Sequence, residues 1–170
     1  EALRVAVNLS AVQFRSSAVL DLVDEALYIS GLAPERLELE ITESALIEDH
    51  DGAQATLMAL RARGVRVAMD DFGTGQSTLA MLKNVNVDVI KLDRAFVPTD
   101  RDQGRSTQII SSMLEMAQSL HLPVVVEGVE TNEQANMLRQ MGARYAQGFL
   151  YYRPMPAKDF EALLDGGNNN

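Results

Sequence analysis

The sequence contains no cysteine and no apolar run long enough to cross a membrane. The absence of cysteine excludes disulfides and thiolate metal sites, and it fits a reducing compartment. A membrane-spanning helix needs about 18 or more consecutive apolar residues, and neither such a run nor a signal-like N-terminus is present. We therefore expect a soluble, cytoplasmic domain.

Positive charge is also scarce, because 15 lysines and arginines stand against 24 aspartates and glutamates, which gives a formal net charge of −9. A general nucleic-acid surface needs clustered lysine and arginine to meet the phosphate backbone, so we expect no DNA partner. The 170 residues, 46% of them hydrophobic, are enough to bury one substantial core. We predict a single domain over residues 1–165 and a frayed tail over residues 166–170.

One stretch, Met69-Asp70-Asp71-Phe72-Gly73-Thr74-Gly75, joins the end of an alternating apolar run to two adjacent carboxylates and a glycine-rich turn. Neighbouring residues of a strand point to opposite faces. The two aspartates can therefore serve one site only if Asp71 lies in the turn beyond the strand. The functional interpretation is a metal or phosphate site, and the alternative is an Asx-type turn that caps a helix.

The same arrangement, an apolar strand that ends in a polar side chain, recurs along the chain, with helical spacing between the strands. The polar residues at the six strand ends are Asn8, Glu40, Asp70, Lys91, Glu127 and Gln147. Two further glutamates, Glu43 and Glu130, lie three residues beyond Glu40 and Glu127. This alternation is typical of an active site at the C-terminal face of a β/α barrel.

Periodicity and capping signals predict where the individual elements lie. We predict strands at 4–9, 37–42, 65–70, 87–92, 123–127 and 144–147, and helices at 17–30, 52–63, 77–83, 106–120, 131–141 and 157–164. Six strand–helix units in 170 residues fall short of the minimum of about 200 that a complete barrel usually needs. The expected fold is therefore an incomplete TIM-type α/β barrel, whose first and last strands are open edges that recruit a partner.

The ordered motifs of the chain resemble those of EAL-domain cyclic-di-GMP phosphodiesterases over essentially its whole length. The motifs that carry the resemblance are Asn8-Leu9-Ser10, Glu40-Ile41-Thr42-Glu43, Asp70-Asp71-Phe72-Gly73-Thr74-Gly75, Lys91-Leu92-Asp93-Arg94, Glu127-Gly128-Val129-Glu130 and Gln147-Gly148-Phe149. Two positions depart from the family pattern, with Gln76 in place of an aromatic residue and Thr78 in place of serine. They fall in a loop that the family associates with dimer contacts, so the departures concern regulation.

The first three residues, Glu1-Ala2-Leu3, spell the signature of the family, yet we interpret them as a coincidence. In the family the metal-binding glutamate of this motif lies several dozen residues before the Asn-Leu-Ser strand, whereas Glu1 precedes Asn8 by seven residues. The resemblance then implies that the signature glutamate is not in this chain. We therefore expect the chain by itself to be weakly active or inactive.

The resemblance implies a hydrolase of bacterial second-messenger signalling, which opens cyclic di-GMP to linear pGpG. Four clustered carboxylates would raise one another's pKa unless cations intervene, and all-oxygen ligands suit two Mg²⁺ or Mn²⁺ ions rather than Zn²⁺. The expected metal ligands are Asn8, Glu40, Asp70, Asp71 and Glu127. Asp71 is expected to bridge to the second ion.

The remaining site residues have expected roles that follow from their positions. Glu127 is either a ligand of the second ion or the general base for water. Lys91 holds the attacking water or stabilises the negative charge of the phosphorane. Glu43 is expected to anchor the glycine-rich loop, whereas Glu130 and Gln147 are expected either to contact substrate or to support the residues that do so.

Two other functions stay open at this point. One is a non-catalytic module that binds cyclic di-GMP and signals through protein contacts. The other is an unrelated metal-dependent barrel enzyme, such as an aldolase or an enolase-like lyase, which would need a Schiff-base lysine or a different arrangement of bases. Expected partners are cyclic di-GMP, a second copy of the chain, and regulatory domains in the full-length protein.

Overall fold

The computed structural model describes residues 3–47, 50–74, 86–99 and 104–166. Six strands form one parallel sheet in which the spatial order equals the chain order. The strands are β1 (Val5–Leu9), β2 (Leu37–Thr42), β3 (Arg66–Phe72), β4 (Val89–Leu92), β5 (Val124–Val126) and β6 (Tyr145–Ala146). The predicted α/β class, with its parallel strands at these six places, is confirmed.

In the part of the chain that the structure describes, helices follow β1, β2, β4, β5 and β6. They are α1 (Ala11–Phe14), α2 (Val19–Ser30), α3 (Glu43–Ile47), α4 (His50–Ala62), α5 (Arg105–Ser119), α6 (Asn132–Gln140) and α7 (Ala157–Gly166). Short 3-10 turns cover Pro34–Arg36 and Arg94–Phe96. None of the helices described is long and apolar enough to cross a membrane.

Several boundaries differ from the predicted ones. The short helices α1 and α3 were not predicted, because four or five residues are too few to show a helical period. Helix α7 continues through Gly166, so this residue belongs to the helix and not to the tail. The predicted helix at 77–83, the departures at Gln76 and Thr78, the first two residues and the tail beyond Gly166 lie outside the described residues.

Strand β2 has one apolar face and one charged face, because alternate strand residues point to opposite faces of the sheet. On β2, Leu37, Leu39 and Ile41 belong to the core cluster, which they share with helix side chains such as Leu57 and Leu60. The intervening Glu38 and Glu40 form ion pairs with Arg66 and Lys91. The face of β2 opposite the core cluster is therefore charged, and Glu40 of the candidate site lies on it.

Among the strands described, β1 and β6 are the edges of the sheet, and each pairs on one side. Val5 and Val7 of β1 are 48% and 43% exposed, and Tyr145 of β6 is 51% exposed. The predicted open edges are confirmed for this part of the chain. Recruitment of a partner to them stays a prediction.

Candidate active site

The strand register brings predicted site residues together at one end of the sheet, where the C-terminal ends of the strands lie. Asn8 on β1 lies beside Glu40 on β2, and Thr42 at the end of β2 lies beside Asp70 on β3. Lys91 belongs to β4, and Glu127 follows β5 directly. Because parallel strands end at a common edge, residues far apart in the chain converge there.

Lys91 is the centre of this convergence. Its Nζ lies 2.7 Å from Glu40 Oε1, 2.7 Å from Glu127 Oε1 and 3.6 Å from Asp70 Oδ1. Lys91 is 4% exposed and Glu40 is 8% exposed. The structure therefore assembles one buried ammonium with three carboxylates, which we call the Lys91 cluster: Lys91, Glu40, Asp70 and Glu127.

The electrostatics of the cluster keep Lys91 charged. Burial alone would lower the pKa of Lys91, but the hydrogen bonds to Glu127 and Glu40 outweigh burial, so the pKa is raised above its ordinary value. Burial raises the pKa of Glu127; Lys91 opposes this shift, but the charges of Asp70 and Glu40 add to it. Glu127 therefore binds a proton more tightly than an ordinary glutamate does.

The prediction that Asp71 lies in a turn beyond the strand is wrong. Asp71 lies within β3, which continues to Phe72. Its φ is 55°, a left-handed conformation that aspartate tolerates better than most residues, and the β3–β4 register shifts between Met69 and Phe72. The Asp71 N–H donates to Asp70 Oδ1 at 3.0 Å. A local irregularity of the strand thus sets the position of the second aspartate.

Burial, followed by the charges of Asp70 and Asp93, raises the pKa of Asp71, and Lys91 opposes the shift. Asp71 therefore belongs to the same electrostatic environment as the Lys91 cluster. Asp93 was not among the predicted site residues. It follows β4 and also accepts a hydrogen bond from the Ala95 N–H at 2.8 Å. Its position two residues after Lys91, in Lys91-Leu92-Asp93-Arg94, is the sequence signal that could have identified it.

Glu43 begins helix α3 and is almost fully buried, with 2% exposure. Its Oε2 accepts a hydrogen bond from the Gly73 N–H at 3.0 Å. Gly73 has a φ of 91°, and a Cβ at this position would collide with Met113 and Phe96. Glu43 therefore contacts the loop that it was predicted to anchor, and its effect on activity stays a prediction.

Three predicted site residues are not brought into the Lys91 cluster. Asn8, Glu130 and Gln147 are exposed. The backbone of Gln147 bonds to Val126 and Val129. No hydrogen bond or ion pair found within the described part of the chain links these three side chains to Lys91 or to its carboxylates.

The donor set is chemically suited to a hard divalent cation, because carboxylate oxygens are the ligands that Mg²⁺ and Mn²⁺ prefer. However, within residues 3–47, 50–74, 86–99 and 104–166, no three histidine, cysteine, aspartate or glutamate side chains lie close enough together to hold an ion. The carboxylates converge instead on the ammonium of Lys91.

Curated proteins from several bacteria are similar to this chain. A signaling protein of Caulobacter vibrioides is 49% identical over 154 residues, which are 91% of this chain and 19% of that protein. The cyclic di-GMP phosphodiesterase NbdA of Pseudomonas aeruginosa is 43% identical over 164 residues, which are 96% of this chain and 21% of NbdA. The chain thus spans about a fifth of the length of these curated relatives.

Solved structures show the same likeness. The PaMucR phosphodiesterase in complex with c-di-GMP superposes with a TM-score of 0.87 at 40% identity, over 92% of this chain and 70% of that one. The EAL domain of Mycobacterium smegmatis DcpA gives a TM-score of 0.90 at 36% identity, over 96% of this chain and 74% of that one. This likeness confirms the predicted TIM-barrel type of fold.

The family model of the EAL domain matches residues 1–154. This match covers all six strands and every residue of the Lys91 cluster. The chain therefore belongs to the EAL domain family.

Proposed function

We propose that this domain hydrolyses cyclic di-GMP to the linear dinucleotide pGpG. The observation that carries the proposal is the Lys91 cluster, a buried ammonium bonded to Glu40 and Glu127 at the C-terminal edge of the sheet. Two relatives support the substrate: NbdA is a cyclic di-GMP phosphodiesterase, and MucR is a bifunctional diguanylate cyclase and cyclic di-GMP phosphodiesterase. Membership of the EAL family argues against the aldolase or enolase-like alternative.

In the proposed reaction, a water oxygen bonds to phosphorus and the bond from phosphorus to the 3′ oxygen breaks. Glu127 accepts the proton of the water. Its raised pKa suits this role, because a general base works best when its pKa is closer to the operating pH. The Lys91 ammonium stabilises the negative charge that develops on the phosphoryl oxygens. The departing 3′ oxygen takes up a proton from solvent.

We also propose that the domain uses Mg²⁺ or Mn²⁺, with two ions in the intact domain. The residues that would hold them are Asn8, Glu40, Asp70, Asp71 and Glu127, a set composed entirely of oxygen donors. When bound, such ions polarise a phosphoryl oxygen and lower the pKa of bound water.

The test is hydrolysis by the 170-residue chain itself. The chain, in excess over cyclic di-GMP, is incubated with Mg²⁺ or with Mn²⁺, and the nucleotides are separated by liquid chromatography. We expect slow conversion to pGpG, which stops when a chelator is added. Calorimetry in parallel measures binding of the nucleotide. Tight binding with the nucleotide still cyclic after prolonged incubation would favour the non-catalytic binding module instead.

The metal proposal predicts that substitutions of Asp70 and of Glu43 change the affinity for Mn²⁺ by different amounts. Asp70→Asn is expected to lower Mn²⁺ affinity by about tenfold or more, because a charged ligand is lost. Glu43→Gln should lower the affinity less, since Glu43 contacts the Gly73 backbone and acts through the position of the loop. Isothermal titration of both variants with Mn²⁺ decides between them. Equal losses would mean that Glu43 is itself a ligand.

We further propose that the domain is cytoplasmic and that regulatory domains flank it in the full-length protein. We also propose that the domain associates through its open edge strands, either as a homodimer or with another segment. The exposed Val5 and Val7 of β1 support this association, because an unpaired edge with apolar side chains recruits partners. Sedimentation velocity of the chain detects a homodimer. A single species of monomer mass over the full concentration range would contradict it.

A further inference from the structure

The ammonium of Lys91 lies at the point where the carboxylates of its cluster converge. Two carboxylate oxygens, one from Glu40 and one from Glu127, lie 2.7 Å from its Nζ, and one from Asp70 lies at 3.6 Å. We propose, on the basis of the function proposed above, that the Lys91 ammonium is the resident counter-ion of this cluster and that a divalent cation must displace it from Glu40 and Glu127 in order to bind.

The burial of the cluster makes this competition strong. The side chains of Lys91, Glu40 and Glu127 are 5%, 9% and 21% exposed. In such surroundings water screens charges poorly, so the attraction between the ammonium and each carboxylate, and its repulsion of an arriving cation, are both far larger than at a surface. The two short contacts must therefore be given up, or lengthened, when the carboxylates turn to a metal ion.

The charge count points in the same direction. Glu40, Asp70, Asp71 and Glu127 together with Lys91 carry a formal charge of −3. One divalent ion leaves this set at −1, whereas a second one makes it positive. Without the ammonium, two divalent ions neutralise the four carboxylates. Lys91 therefore opposes the second ion more than the first.

The lysine side chain is able to make this movement. Its backbone is held in β4, paired with both β3 and β5, but its ammonium is a compact charge on a flexible four-carbon stem. Once displaced from Glu40 and Glu127, the ammonium would be available to a phosphate of the substrate. One residue thus holds the carboxylates in place before an ion binds and stabilises charge on the substrate afterwards.

The first test compares Lys91→Met with Lys158→Met by titration with Mn²⁺ alone, without nucleotide. Lys158 is exposed on α7, so its variant makes the same substitution outside the cluster. We expect Lys91→Met to bind Mn²⁺ at least about tenfold more tightly than the wild type, because a neighbouring positive charge is removed. Lys158→Met should bind as the wild type does. Unchanged or weaker binding by a folded Lys91→Met protein would overturn the proposal.

A second measurement uses the wild-type chain, because Lys91→Met leaves buried carboxylates unpaired and can impair folding. The chain labelled with nitrogen-15 at lysine is titrated with Mg²⁺, and the ammonium resonance of Lys91 is followed by NMR. We expect its protons to be protected from exchange without Mg²⁺ and to lose this protection at saturation. Protection that persists at saturating Mg²⁺, or a failure to bind Mg²⁺, would overturn the proposal. Neither readout involves cyclic di-GMP, so the proposal can fail while hydrolysis is observed, and the reverse.

Discussion

Glu127→Gln is expected to slow the hydrolysis of cyclic di-GMP by about a hundredfold to ten-thousandfold, the range over which general bases contribute. The substitution keeps the size of the side chain and removes its ability to accept a proton from water. It also removes one of the two short ion pairs of Lys91, the one in which Lys91 Nζ lies 2.7 Å from Glu127 Oε1. Rates of pGpG formation with Mg²⁺, measured with enzyme in excess, give the effect.

The matched control for this variant is Glu133→Gln. Glu133 lies in the first turn of α6 and is exposed, outside the Lys91 cluster. Its substitution is expected to leave the rate within about twofold, because surface changes away from special features have small effects. Circular dichroism verifies that both variants fold. A folded Glu127→Gln protein with the wild-type rate would remove Glu127 from the catalytic role.

Gly148→Ala is expected to lower the free energy of unfolding by about 3 kcal/mol, the upper part of the usual range for overpacking. A Cβ on Gly148 would collide with the backbone oxygen and nitrogen of Val129. This backbone cannot yield easily, because the Val129 N–H donates to Gln147 O at 3.0 Å and the Leu150 N–H donates to Val129 O at 3.0 Å. The segment after β6 must therefore move away from Val129, and the adjacent Gln147 is displaced with it.

Gly142→Ala is the control for this variant, because it measures the cost of replacing a glycine where the new Cβ meets no other atom. Gly142 has a φ of 91°, and a Cβ there meets nothing within 4 Å. The only cost is then that of alanine in a left-handed backbone conformation, so we expect the free energy of unfolding to fall by about 1 kcal/mol. Urea denaturation of both variants measures the difference. Equal losses would show that the two backbones can separate at little cost.

The fold was predictable in those parts where neighbouring residues carry the signal. Alternation of apolar residues predicted β2 at its observed bounds, and the helix predicted at 131–141 is α6, which begins after the N-cap Thr131. Helices α1 and α3 were not predicted because they are shorter than two helical turns. The continuation of β3 through Asp71 was missed because glycines directly after a strand usually indicate a turn.

By itself, the sequence determined that polar residues follow six apolar strands, and this pattern predicted the barrel type and the common edge at which Glu40, Asp70, Lys91 and Glu127 lie. The family was predicted separately, from the resemblance of the ordered motifs to those of EAL domains. Only the tertiary structure decided that Lys91 is the centre of these carboxylates, that Asp71 lies within β3 in a left-handed conformation, and that Glu43 bonds to Gly73. The reason is physical. Alternation and capping act between residues close in the chain, whereas the contacts of Lys91 and of Glu43 join residues far apart in the chain, whose distances depend on register and packing across the sheet.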